Sequence, residues 1–359
     1  MQRVPNGFLS GLLFLATLAV TLACSGPRGD AGSAPGASSA PAGGDASSAA
    51  RPADSAAAPA APTQPLEAVR VGFANASAIH AAVMAAQEGG LFARNGLDVE
   101  LVNLGPSQST QAALLSGEAP VASVSGSSTL NVILAGGDLA IVGAVFDTMP
   151  YQLVTTRDLT TLADLRDKQI GVNRFGGAAD SILRYVLRQN GLDPERDVRI
   201  LQVGAQTERL AALRSGAVQG TLVDPPFQVL AEREGLRVLL DTADLGLAYP
   251  QDVLVMSRQF IATRRDTARR VLQSAVDGAR AFRQDRELGV RTISHWLKLE
   301  DPALLDDTYA YFSRLMPEEV LPRADGLQLV IDEVAADKPE ARSLRAQDLV
   351  DPSLAREVK

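Results

Sequence analysis

From Val69 onward, short β-rich runs alternate with polar turns and with segments of helical spacing. Val69 to Phe73 reads as a strand and Ala74 to Ser77 as a turn. Ile79 to Phe92, with Ile79, Val83, Ala86 and Leu91 at helical intervals, reads as a helix that Gly96 closes. Val99 to Leu104, Gly105 to Ser109 and Thr110 to Leu115 give the next strand, turn and helix, with Gly117 as the stop. Val121 to Val124, Ser125 to Ser128 and Thr129 to Leu134 give the third set. Later in the chain the series recurs. Strands at Lys168 to Val172, Val198 to Val203 and Gln219 to Val223 are each followed by a polar turn, at Asn173 to Gly177, Gly204 to Thr207 and Asp224 to Phe227. Helices at Ser181 to Gln189 and Glu208 to Leu213 lie between them. This order predicts an α/β protein with mainly parallel sheets flanked by helices.

The recurrence is a repeat at a constant offset of 99 positions, which pairs Ser116-Gly117 with Ser215-Gly216, Gly105 with Gly204 and Val71-Gly72 with Ile170-Gly171. Asn95-Gly96-Leu97-Asp98 also matches Asn190-Gly191-Leu192-Asp193, after which the second copy carries Pro194-Glu195-Arg196 as an insertion. A period this long describes a domain-sized unit rather than a solenoid module, so two similar lobes are expected. Two polar stretches, Asp147 to Tyr151 and Gly246 to Pro250, are flanked by strand-like runs and read as crossings between the lobes. The expected division is 67–151 for the first part of lobe 1, 152–248 for lobe 2, and 249–359 for the return to lobe 1. That return includes helices over about 266–284, 287–297, 302–315 and 326–336, expected to buttress lobe 1.

The N-terminus is of another kind. Residues 1–23 have Arg3 and then an apolar run from Phe8 to Leu22, the form of a secretory signal. Ala23-Cys24 resembles a lipoprotein processing site, with Thr21 where an aliphatic residue is usual, and Cys24 is the only cysteine. Residues 24–66 are nearly all Ala, Ser, Pro and Gly, with no apolar periodicity to bury, and read as a disordered tether. Its root-mean-square reach is roughly 35 Å. The expectation is export and anchoring to a membrane through Cys24.

Composition narrows the chemistry. A formal charge of −8 argues against nucleic acid. One cysteine excludes an internal disulfide, and with only His80 and His295 there is little material for a metal centre. Neither a cofactor nor a catalytic residue is called for.

In open parallel sheets ligands bind beyond the carboxyl ends of strands, where turns lead into helices and backbone N–H groups are free. Lobe 1 offers Asn75 and Ser77, then Ser107, Gln108 and Ser109, then Ser125, Ser127 and Ser128 there; lobe 2 offers Asn173, Arg174, Phe175, Gly176, Gly177 and Asp180, then Gln206, then Asp224. Singly these are ordinary cap and turn residues. Arg174, the only cation in these turns, is the natural partner of an anion. Positions where the copies differ, Asn75 to Ser77 against Arg174 to Gly176 and Ser125 against Asp224, are the ones expected to choose the ligand. Tyr151 and Tyr249 lie by the crossings, and His80 reads as a helix residue near the cleft rim.

Val69 to Phe73, Gly90 to Leu97, Ala113 to Gly117, Asp164 to Val172 and Asp224-Pro225-Pro226, in that order, resemble the extracytoplasmic solute-binding proteins of ABC importers for nitrate, sulfonates, taurine and bicarbonate. The resemblance implies a two-lobed periplasmic-binding-protein fold, type II with two crossovers, and a small-molecule solute held by the turns named above. It also implies a monomer that delivers the solute to an ABC permease with its ATPase subunit. Two rival readings are an enzyme on the same fold, a lyase or synthase using Asp180 or Asp224 as base, and a sensor domain presenting ligand to a signalling partner. A related pyrimidine-forming enzyme depends on a cysteine-rich stretch, and no cysteine follows Cys24.

Overall fold

A computed structural model describes residues 65–358; the expected signal sequence, Cys24 and nearly all of the tether lie outside the described residues. The chain first lays down β1 (Glu67–Phe73), α1 (Ala81–Glu88), α2 (Leu91–Arg94), β2 (Leu97–Asn103), α3 (Ser107–Ser116), β3 (Val121–Val124), α4 (Gly126–Leu134) and β4 (Leu139–Phe146). It continues with β5 (Gln152–Thr155), β6 (Gln169–Val172), α5 (Ala178–Gln189), β7 (Arg199–Gln202), α6 (Gln206–Arg214), β8 (Gly220–Val223), α7 (Phe227–Arg233) and β9 (Arg237–Asp241). It returns through β10 (Asp252–Ser257) and ends in α8 (Arg258–Thr263), α9 (Arg265–Gln284), α10 (Arg286–Leu297), α11 (Pro302–Leu315) and α12 (Ala324–Asp337), followed by short turns.

Two five-stranded sheets result, with orders β2-β1-β3-β10-β4 and β7-β6-β8-β5-β9. In the first, β1 is parallel to β2 and β3 while β10 is antiparallel to β3 and β4, so four strands share a direction and β10 opposes them. The second repeats this with β5 as the opposed strand. Each opposed strand is the one the chain enters after a crossing, and the 99-residue offset extends to them: Gln152 begins β5 and Gln251 directly precedes β10. Residues of β3, β4 and β8 are buried throughout, which explains their continuous apolar runs in place of an alternation.

Several local expectations change. The single helix expected over Ile79 to Phe92 is broken, because Gly90 is left-handed (φ 64°) between α1 and α2. Its start is a 3₁₀ turn, Ala78–His80, capped by the Ser77 hydroxyl, which accepts from the Ile79 N–H at 3.2 Å. Ser107 to Ser109, expected as a turn, are the first turn of α3, with Pro106 extended just before it.

Helix α1 is buried from Ala81 to Ala86 and packs on α9, where glycine is required: a Cβ on Gly278 would lie 2.1 Å from the Ala82 carbonyl oxygen. The C-terminal helices do not buttress lobe 1 alone. Helix α11 reaches lobe 2 through Tyr311 Oη, which donates to Asp241 Oδ1 at 2.9 Å, and Asp301 at its N-cap pairs with Arg233 at 3.0 Å. On another face α12 pairs Glu333 and Asp337 with Arg188 of α5, at 3.0 and 3.2 Å. Periodicity finds such helices, but a helix that is amphipathic in sequence does not declare a second neighbour.

Candidate functional site

The turns at the carboxyl ends of β1 and β8 meet between the lobes. Ser77, which caps the turn after β1, donates its hydroxyl proton to Asp224 Oδ2, and Gln206 Nε2 donates to the other oxygen, Oδ1. The Asp224 N–H in turn donates to Gln206 Oε1 at 2.9 Å. Asp224 is only 1% exposed; burial pushes its carboxyl up, against the pull of Ser77, Gln206 and the nearby Arg209 guanidinium.

The crossings lie against this cluster. Tyr151 Oη accepts from Gln251 Nε2 at 3.0 Å, which ties the outgoing crossing to the returning one. Thr242 reinforces it, donating its hydroxyl to the Met149 carbonyl at 2.7 Å and accepting from the Tyr151 N–H at 3.2 Å. Burial raises the Tyr151 and Tyr249 phenols, with Asp224 adding to the effect on Tyr151. Gln251 Oε1 is buried without a hydrogen-bond partner.

A cavity of about 510 Å³ lies between α3 and α4 of lobe 1 and the Arg174–Gly176 turn of lobe 2, and no residue of the cluster is in its wall. Gln108, Gln111, Ser128, Asn131, Arg174, Phe175 and Lys338 are in its wall. Gln111 Nε2 and Arg174 Nε are buried without partners, and burial lowers the Arg174 guanidinium. A neighbouring cavity of about 490 Å³ shares Asn131, Phe175, Gly176 and Lys338 and extends toward Asp180, Arg184 and Glu333.

The sequence-expected residues therefore separate into groups. Ser77 and Asp224 meet each other; Gln108, Arg174, Phe175 and Gly176 share a cavity. Ser125 is turned to its own helix, accepting from the Ser128 N–H at 3.3 Å, and Gly177 is the N-cap of α5. Asn173 has a buried, unpartnered Oδ1, and Ser107 is buried at the start of α3. Asp180 is engaged locally: Oδ2 accepts from the Gly176 N–H at 2.8 Å and Oδ1 from Arg184 at 2.9 Å, while burial raises its carboxyl. Asn75 and Ser109 are exposed, outside the cavity walls; Asn75 serves by its left-handed backbone (φ 61°) and its N–H, which donates to the Gly105 carbonyl at 2.9 Å.

Two features were not legible in the turns. Arg209 is 3% exposed, with Nε and Nη1 unpartnered. Its signal was spacing: it lies three residues after Gln206 and so shares that residue's helix face. The second is a buried trio of His80, Ser123 and Asp252. His80 Nδ1 is 3.1 Å from Asp252 Oδ2 and 2.9 Å from Ser123 Oγ, Nε2 is 2.5 Å from the Ala74 carbonyl, and Ser123 donates to Asp252 at 2.5 Å. A nucleophile relay needs serine and carboxylate on opposite ring nitrogens. Here they share Nδ1 and the serine proton is committed to Asp252, so the trio fixes the turn before Ser77. Among the described residues no group of three or more His, Cys, Asp or Glu could hold a metal ion.

Two lobes, two crossings and a polar cleft at the strand ends define a periplasmic-binding-protein fold. The NMT1/THI5-like family model matches residues 77–287, and the chain belongs to that family. YtlA of Bacillus subtilis (strain 168), named as a binding protein, is 22% identical over 210 residues; the match covers 57% of this chain and 63% of YtlA, less than two thirds of its length. The periplasmic aliphatic sulphonate binding protein SsuA from Escherichia coli superposes with a TM-score of 0.64 at 20% identity, over 80% of this chain and 91% of that one. The periplasmic nitrate-binding protein NrtA from Synechocystis PCC 6803 gives 0.66 at 17% identity, over 81% and 88%. The desulfurization enzyme DSZB gives 0.61 at 15%, over 81% and 98%. At these identities the structural likeness is one of fold.

Proposed function

We propose that this protein is the solute-binding component of an ABC importer, capturing a small polar or anionic solute between its lobes and delivering it to a membrane permease and its ATPase subunit. The observation that carries the reading is the Ser77–Asp224 hydrogen bond, which joins the strand-end turns of opposite lobes inside a buried polar cleft. Closure of the lobes about the two crossings binds the solute, and the closed form is favoured by its higher affinity. The binding-protein names of YtlA, SsuA and NrtA support the same reading. The ligand residues are Ser77, Asp224 and Gln206 in the cluster, together with Gln108 and Arg174 to Gly176 in the wall of the cavity between the lobes. The protein acts outside the cytoplasm, as a monomer tethered to a membrane through lipidated Cys24.

A thermal-shift screen over nitrate, bicarbonate, short alkanesulfonates, taurine and substituted pyrimidines tests the binding. A true ligand at 100 times its dissociation constant stabilises by about 2.7 kcal/mol. Asp224→Ala should then weaken that ligand about 10- to 100-fold, as expected for loss of a hydrogen bond to a charged group. The fold is shared with an enzyme, DSZB, so the ligand is recovered after long incubation: unchanged ligand fits the proposal, and conversion to product would replace it with the enzyme reading. For the anchor, fatty-acid labelling of the expressed chain should be lost in Cys24→Ser; labelling that persists would place the lipid elsewhere, and no labelling of the wild type would remove it.

A further inference from the structure

Arg209 is the one buried side chain of the inter-lobe cluster whose charge is left unanswered. Its Nε and Nη1 are unpartnered, it makes no ion pair within 4.0 Å among the described residues, and it is 3% exposed. Asp224 is near enough to be felt electrostatically, yet both its oxygens are taken, by Ser77 and Gln206. A guanidinium out of water and without a partner costs several kcal/mol, so a folded protein keeps one only where something else completes it. The fold aims it: Gln206 and Arg209 share a face of the first turn of α6, and Gln206 is bonded to Asp224. Tyr151, on the outgoing crossing, is also within electrostatic reach of the guanidinium. The repeat adds an independent point. At the offset of 99 the counterpart of Arg209 is Thr110, in the first turns of α3, fully buried and also with an unpartnered Oγ1. Both copies leave a polar group unsatisfied at this position, and only the second makes it a cation.

We propose that Arg209 is the specificity-determining anchor for an anionic group of the captured solute, a carboxylate, sulfonate or comparable oxyanion. The inference rests on the solute-binding reading and narrows it. The planar fork of a guanidinium takes two oxygens of such a group in parallel. Asp224 beside it excludes a second negative charge and favours a hydrogen-bond donor next to the anionic group. Burial makes Arg209 accessible only when the lobes part, so the anion enters with the opening of the cleft and is enclosed by its closing.

The test has two arms on the full chain. Without any ligand, Arg209→Met should unfold at a higher temperature than the wild type, because it replaces an unpaired buried charge with an apolar chain of similar volume. A variant less stable than the wild type would show that Arg209 serves the structure and would overturn the proposal. In the second arm, calorimetry compares ethanesulfonate and acetate with the uncharged ethyl methyl sulfone and acetamide on wild type, Arg209→Met and Arg209→Lys. An anionic probe should bind the wild type in preference to its neutral counterpart, weaken about 10- to 100-fold in Arg209→Met, and recover in part in Arg209→Lys. Equal binding to wild type and Arg209→Met, or preference for the neutral probes, would overturn the role of Arg209 while leaving solute binding intact. Failure of these probes, nitrate, bicarbonate, taurine and pyrimidines to bind the wild type at all would count against both.

Discussion

His80→Ala should destabilise the protein by about 3–5 kcal/mol at pH 7, whereas Asp252→Asn should cost only about 1–2 kcal/mol, although the two residues are partners. The asymmetry follows from what each substitution strands. Both ring nitrogens of His80 face acceptors, Ala74 O on one side and Asp252 with Ser123 on the other, and the Ser123 hydroxyl is already donating to Asp252. That arrangement requires two ring protons, hence an imidazolium. Burial works against the charge, but Asp252, the Ala74 carbonyl and Asp224 together outweigh it and hold His80 above its ordinary value. Removing His80 leaves the fully buried Asp252 carboxylate without its counter-charge, which costs about 3–5 kcal/mol. Removing the Asp252 charge strands an imidazole, whose ordinary value near 6.5 lets it discharge almost freely at the same pH.

The sign of the pH dependence follows. His80 has a raised value in the folded state, so its stabilising contribution is complete below about pH 6.5 and is lost as pH rises through the folded value. The gap between wild type and His80→Ala should therefore be widest below about pH 6.5 and should narrow at high pH, where wild-type His80 discharges. Urea denaturation at several pH values measures this, and the double variant should be more stable than His80→Ala alone. Additive costs independent of pH would mean that the pair is neutral and the imidazolium assignment wrong. The functional consequence is positional, since the trio holds the Ala74 end of the turn whose other end presents Ser77 to Asp224.

These two cases mark what the sequence could and could not disclose. The repeat offset paired β1 with β6, β2 with β7 and β3 with β8, and from that pairing two similar lobes of mainly parallel sheet were expected; the shared strand order and the opposed strands β5 and β10 came only with the structure. The long C-terminal helices were legible to within a turn because their apolar spacing is sustained and Pro or Gly punctuates it. Asp252 was not, because nothing near it in sequence explains a carboxylate at the start of a buried strand; its partner is 172 positions earlier. Arg209 was hidden for a different reason. A cation in a short helix with Glu208 and Arg214 around it reads as solvated surface, and only the packing of α6 against β6, β8 and α7 shows it to be on a buried face. The two copies also differ at Thr110 and Arg209, one helical turn beyond the strand-end turns in which mismatched positions were expected to matter. Periodicity reports which face of an element is apolar, and a buried charge on that face breaks the pattern it would need to be found by.

Glu333→Gln should stabilise the protein at pH 8 by on the order of 2–3 kcal/mol and change it by less than about 1 kcal/mol at pH 5. Burial against α5 raises the Glu333 carboxyl from 4.5 to about 7, against the opposing pull of Arg188 at 3.0 Å; Asp337 adds to the rise and Arg184 opposes it. A carboxyl raised in the folded state binds its proton more tightly there than in the unfolded chain. Its stability is complete below about pH 4.5 and is lost as pH climbs through about 7, so at pH 8 the wild type carries a buried charge that glutamine does not. Asp147, pushed up to about 6 chiefly by burial, contributes a trend of the same sign, but it is present in both proteins and cancels in the difference. The Glu333–Arg188 pair joins α12 to α5 at 3.0 Å, so if the proposed closure of the lobes brings these helices together, proton uptake at Glu333 accompanies it. Solute affinity of the wild type should then weaken between pH 5 and pH 8, and Glu333→Gln should flatten that dependence. A variant less stable than the wild type at pH 8 would show that the Arg188–Glu333 pair gains more from its charges than burial takes away, and closure would then be held by the ion pair instead of opposed by its desolvation.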